Sequence, residues 1–108
     1  MSIEVVADNT LQWEGEFTKE LGVALEKIGL MAEGYAKAMC PVDTGRLRDS
    51  ITHMVDGGEK SVYVGTNVEY GPFVELGTSK RVAKPFLRPA ANDHIEQYRS
   101  ILKSELGE

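Results

Sequence analysis

A chain of 108 residues and 11.9 kDa has the size of one domain and no room for two. Its 42% hydrophobic and 27% charged residues are those of a folded globular protein, which sets aside disordered, collagenous and coiled-coil classes. No apolar run approaches the roughly 20 residues of a membrane span, and twelve Lys and Arg against seventeen Asp and Glu leave a net charge of −5 that opposes nucleic-acid or anionic-membrane binding as the main role.

Met1 to Thr10 lacks the basic-then-apolar pattern of a secretory leader and reads as a flexible lead-in, so folding in the cytoplasm is the expectation. The single Cys40 has no disulfide partner within the chain and reads as a small buried thiol. Charge is uneven along the chain. Residues 1–33 hold seven acids and two bases, residues 34–79 six and four, and residues 80–108 four and six. Lys80, Arg81, Lys84 and Arg88 form a stretch of four cations with no acid between them. Such a stretch and an acidic first third attract across a head-to-tail contact between copies. The alternative is a solvated basic loop.

From Leu11 to about Met39, apolar residues recur in steps of three and four: Trp13, Phe17, Leu21, Leu25, Ile28, Met31 or Ala32, Tyr35, Met39. This spacing predicts one long amphipathic helix, capped at Asn9 or Thr10 and stopped by Pro41. Gly15, Gly22 and Gly29 fall seven apart on nearly one face of it. Close packing of the helix on the protein's own sheet accounts for them more simply than a groove for a neighbour.

Asp43 or Thr44 can cap a short helical turn carrying Leu47 and Ile51. Ile51 to Val55 and Ser61 to Thr66 read as two β-strands joined by Asp56-Gly57-Gly58-Glu59, a hairpin. Pro72 can open, and Gly77 close, a single helical turn holding Phe73, Val74 and Leu76. Ala83 to Leu87 reads as a further edge strand, and Pro89 as the start of a final helix bearing Ala91, Ile95, Tyr98, Leu102 and Leu106. The fold expected is α+β: a long N-terminal helix and a C-terminal helix on one face of a small antiparallel sheet, made of the hairpin plus an edge strand.

No catalytic, metal or cofactor site emerges. His53 and His94 have no ligand-type neighbours at metal spacing, and no phosphate-cradling loop is present. Asp43-Thr44-Gly45 spells the triplet of retroviral-type aspartic proteases, which would pair two Asp43 carboxyls across a two-fold axis. That chemistry needs an almost all-β body, whereas here the triplet follows a long helix and a proline. A small DNA-binding module using the cations of 80–88 with Phe86 is a further alternative.

Three segments carry a more specific signal: Pro41-Val-Asp-Thr-Gly-Arg-Leu-Arg-Asp-Ser-Ile51, Val64-Gly-Thr-Asn-Val-Glu-Tyr-Gly-Pro-Phe-Val-Glu-Leu-Gly-Thr78, and Pro85-Phe-Leu-Arg-Pro-Ala90. In this order and spacing they resemble the gene-product-ten-like tail-component family of tailed bacteriophages and prophages. The resemblance covers about residues 35–105, and the first helix only loosely. Gly71 stands where alanine is common, Leu76 where an aromatic is common, and Arg81-Val82 where a smaller or more apolar pair occurs.

The resemblance implies a non-enzymatic α+β subunit of the neck or tail-completion ring, located in the virion and assembled in the host cytoplasm. Its implied partners are copies of itself and other connector and tail proteins, with no cofactor and no specific nucleic acid, DNA passing through the ring. An isolated subunit can remain monomeric. The residues suited to the subunit interface are Tyr70, Phe73, Val74, Glu75 and Leu76 in the tight turn, followed by Lys80, Arg81, Lys84, Phe86 and Arg88. The apolar ones would supply a desolvated centre and the charged ones the register.

Overall fold

The computed structural model describes residues 2–7, 10–16, 18–41, 45–80 and 82–107. The fold is α+β. Its elements are β1 (Ser2–Ala7), β2 (Thr10–Glu14), α1 (Lys19–Met39), α2 (Arg46–Ser50), β3 (Thr52–Asp56), β4 (Ser61–Gly65), α3 (Gly71–Leu76), α4 (Leu87–Asn92) and α5 (Ile95–Leu106). The strands form one antiparallel sheet in the order β1-β2-β4-β3.

Two of these strands lie where the sequence predicts a lead-in and the first turns of the helix. Leu11 and Trp13 are buried while Gln12 between them is half-buried, a period of two that belongs to a strand. Leu11 pairs with Val62 and Gln12 with Ser61, so β2 lies in the middle of the sheet. The helix begins instead at Thr18, whose hydroxyl accepts the Leu21 N–H at 3.1 Å. The proposed cap Asn9 and the stripe residue Phe17 lie outside the described residues.

α1 buries Leu21, Ala24, Leu25, Ile28, Gly29, Ala32 and Ala36, packing on β3 and β4 of the sheet and on the C-terminal helices α4 and α5. The sheet's other face shows Met54 and Tyr63, cross-strand partners that are both exposed. The helices therefore cover one face. Gly29 lies at the closest approach: a Cβ there would sit 2.4 Å from the His53 ring and 3.0 Å from Val62. Gly15 is outside the helix, so the three-glycine stripe reduces to close packing at Gly29.

The hairpin forms at Thr52–Asp56 and Ser61–Gly65, with Asp56 paired to Ser61 across a four-residue connection. Its left-handed residue is Lys60 (φ 53°), not either glycine. The Asp56 carboxylate accepts the Glu59 N–H at 3.2 Å and stabilises the turn.

The chain's last third departs from the expected edge strand and single helix. Residues 82–85 form no strand, and the helical part divides at Asp93 and His94 into α4 and α5. The break has a physical cause. The Tyr98 hydroxyl donates to the Ala90 carbonyl, eight residues back. In a straight helix that interval rises about 12 Å, beyond the reach of a tyrosine. The break also stacks His94 on Tyr35 of α1, with ring centroids 3.6 Å apart. Phe86, Ala90, Ala91 and Tyr98 all close the core.

Two glycines of α1 are expected to respond oppositely to alanine. Gly34→Ala, with open space around the new methyl, should gain about 1 kcal/mol of helix propensity. Gly29→Ala should lose about 1 kcal/mol or more, because overpacking against His53 and Val62 outweighs that gain. Urea unfolding of the two variants checks this, and shifts of the same sign would contradict the packing assigned to Gly29.

Candidate assembly interface

α2, the segment leading into α3 and the start of α4 are linked by side-chain contacts. Leu47 is buried in the core, which fixes α2, and Gly45 precedes it at φ 81°. The proposed caps Asp43 and Thr44 lie outside the described residues, as does the triplet's carboxylate. The α+β body around that triplet is not the all-β body that protease chemistry requires.

Arg46 reaches across to Glu69 with two parallel contacts, Nη1 to Oε1 at 3.2 Å and Nη2 to Oε2 at 3.1 Å. Its guanidinium also lies 5.4 Å from the Tyr70 ring centroid. The Glu69 carboxyl is held below its ordinary range, first by its own backbone N–H and then by Arg46. Both partners are exposed, so this pair sets the approach of the chain into α3 rather than adding much stability. Ser50 and Thr66 join their hydroxyls beneath it, and the Thr66 hydroxyl accepts the Val68 N–H at 3.1 Å.

α3 opens with Pro72 in its first turn and closes at Gly77, whose φ of 78° favours glycine. Val74 and Tyr70 pack against the core, whereas Phe73 is 62% and Leu76 66% exposed. Glu75 turns inward. One carboxylate oxygen accepts the N–H groups of Phe86 and Leu87, both at 2.9 Å, and the other accepts that of Arg88 at 3.1 Å. These are the orphan donors at the start of α4, whose own N-cap, Phe86, offers no capping oxygen.

Of the ten residues suited to an interface by sequence, five therefore reach the surface: Phe73, Leu76, Lys80, Lys84 and Arg88. Tyr70 and Val74 are half-buried, and Glu75 is an internal cap. Phe86, at the end of the strap that joins α3 to α4, is 0% exposed and belongs to the core of the subunit. Arg81 lies outside the described residues. Val82, 86% exposed, is a further apolar side chain on this surface that the sequence reading did not single out. Its only signal was an apolar residue isolated among cations.

A second polar cluster lies between β3 and α1. His53 of β3 lies between two glutamates of α1, with Nδ1 3.0 Å from Glu33 and Nε2 2.5 Å from Glu26. Lys37 approaches Glu33 from the next turn at 3.4 Å. Both ring nitrogens face carboxylates, an arrangement suited to the doubly protonated imidazolium. Among the described residues, no group of three or more His, Cys, Asp or Glu is arranged to hold a metal. Burial pushes the Cys40 thiol up, against a smaller opposing effect of Arg48, so it is not an activated thiolate.

Long helix, short helix, hairpin, helical turn and two closing helices on one face of a sheet define a small α+β subunit with a projecting apolar and cationic edge. Residues 7–77 match the family described as "Bacteriophage HK97-gp10, putative tail-component", and the chain belongs to that family of phage tail components. The match takes in α1, where the sequence resemblance was loose, and stops short of residues 85–90. No curated protein and no solved structure matches the chain.

The His53 cluster sets a pH dependence. Burial alone would lower the His53 pKa, but hydrogen bonds and charge from Glu26 and Glu33 outweigh it and raise the pKa above 6.5. Its stabilising contribution is thus full below 6.5 and lost as pH rises through the raised value. Glu33 is disfavoured as a charge by burial, yet His53 and Lys37 carry its pKa below 4.5, so its contribution disappears as pH falls through that lowered value. Thermal unfolding should show wild type ahead of His53→Gln near about pH 6, with the gap shrinking toward about pH 9. Parallel profiles would contradict this reading.

Proposed function

We propose that the chain is a structural subunit of the phage head–tail connector or tail-completion ring, acting in virion assembly without catalysis. Family membership supports a structural place in the virion and contact with other tail proteins. The observation that carries the finer reading is the edge at α3. Phe73 and Leu76 stand exposed on one helical turn, and the strap behind them carries Val82, Lys80 and Lys84. An apolar centre with charges at its rim gives affinity through desolvation and register through charge.

In this reading the whole chain works as one unit, folding in the host cytoplasm and associating head to tail until a ring closes. The free subunit stays monomeric and gains its neighbours on a template of connector proteins. The net charge of −5 suits a ring through which DNA passes without adhering.

The combined variant Phe73→Asp with Lys80→Glu tests the assignment in a phage that depends on it. The variant subunit should fold, since both side chains are exposed, while heads and tails fail to join and infectious yield falls by about two orders of magnitude. Wild-type yield would refute the interface.

A further inference from the structure

α3 is held by hydrogen bonds more than by packing. Of its six residues only Gly71 is buried, and a glycine brings no side chain to the core. Pro72, Phe73 and Leu76 are exposed, and Val74 and Glu75 are half-buried. Among the described residues no other helix or strand packs broadly on this element. The apolar anchors lie outside it, at Val68 before and at Phe86 and Leu87 after. Its fastening is polar. The Glu75 carboxylate accepts the N–H groups of Phe86 and Leu87 at 2.9 Å and of Arg88 at 3.1 Å, and the Lys84 N–H donates to the Val74 carbonyl at 2.9 Å. Both sets tie the second half of α3 to the start of α4. On the entry side the Arg46–Glu69 pair is exposed, and such pairs hold little. Hydrogen bonds to an ionised carboxylate are roughly twice as strong as neutral ones, which makes Glu75 the strongest tie.

We propose that Glu75 is the positioning residue of the assembly interface: it latches α3 to α4 and so fixes the direction in which Phe73 and Leu76 face a neighbour. Glu75 acts through α3 and not by touching the partner. With few buried apolar contacts of its own, α3 opens as a unit apart from the core, and the carboxylate sets how often. A latched α3 presents Phe73 and Leu76 already in place, so docking avoids the entropic cost of ordering the turn. This inference rests on the interface proposed above and adds the residue that orients it.

Amide hydrogen exchange on the purified subunit tests the latch without reference to assembly. In the wild-type chain the amides of Lys84, Phe86 and Leu87 should exchange faster than that of Ile28 and with little dependence on urea, the mark of an opening that exposes little surface. Glu75→Ala should speed exchange at Lys84, whose own acceptor is untouched, by about tenfold or more. A urea dependence equal to that of Ile28 would mean that α3 and the core open together. An unchanged Lys84 rate would mean that Glu75 holds nothing; either result overturns the latch. Complementation of a phage lacking the gene tests the positioning. Glu75→Ala should lower infectious yield by about tenfold or more, whereas Ile28→Val, a core change that also lowers the melting temperature, should keep it near wild type. Glu75→Gln, which retains one carbonyl oxygen for the Phe86 and Leu87 N–H groups, should recover part of the loss. Equal yields from Glu75→Ala and Ile28→Val, whether high or low, would overturn Glu75 as the positioning residue. The interface itself stands or falls separately, on the Phe73→Asp, Lys80→Glu variant.

Discussion

The packing of α1 across β3 and β4 is the constraint on which the rest of the molecule depends. Burying Leu21, Leu25 and Ile28 contributes about 1.5–3 kcal/mol each, far more than any exposed ion pair. Gly29 lets the helix axis come close enough for that burial to extend through Ile28 and Ala32. From this seat the C-terminal helices take their places. Tyr35 stacks on His94 and donates to Gln97, while Lys27 pairs with Glu105. Apolar area makes the framework, and polar contacts settle direction.

That division of labour recurs at the edge formed by α2, α3 and the strap. Arg46 and Glu69 are too exposed to add much stability, yet their fork geometry and the Tyr70 ring align the entry to α3. Glu75 works from the other side, joining α3 to the start of α4 through three backbone N–H groups. Phe73, Leu76 and Val82 stay exposed in the subunit, a cost that the proposed ring would offset by covering them.

Much of this plan is legible in the sequence where a single periodicity decides. The body of α1, the hairpin and the Pro72-to-Gly77 turn follow from local spacing, while the family resemblance rests on the three segments quoted for it. The failures come where two periods fit the same residues or where a distant contact rules. Trp13, Phe17 and Leu21 satisfy a helical step, while Leu11 and Trp13 equally satisfy a strand, and pairing with Val62 and Lys60 settles the matter. The break at Asp93 and His94 goes with the Tyr98 bond to Ala90 and with a stack on Tyr35, nearly sixty residues away in sequence, neither of which the helical period announces. Phe86 reads as an exposed aromatic because its cationic neighbours are exposed, but the Glu75 cap turns it inward. A carboxylate eleven residues from the N–H it caps leaves no local signature.

The account's central claim is that the strap is open in the free subunit and covered in the particle. Val82→Cys provides a direct probe, since the native Cys40 is buried and contributes little background. Maleimide labelling should be rapid on the purified subunit and strongly suppressed on intact virions. Equal labelling of both would mean that the strap faces solvent in the assembled phage, and the account would be wrong.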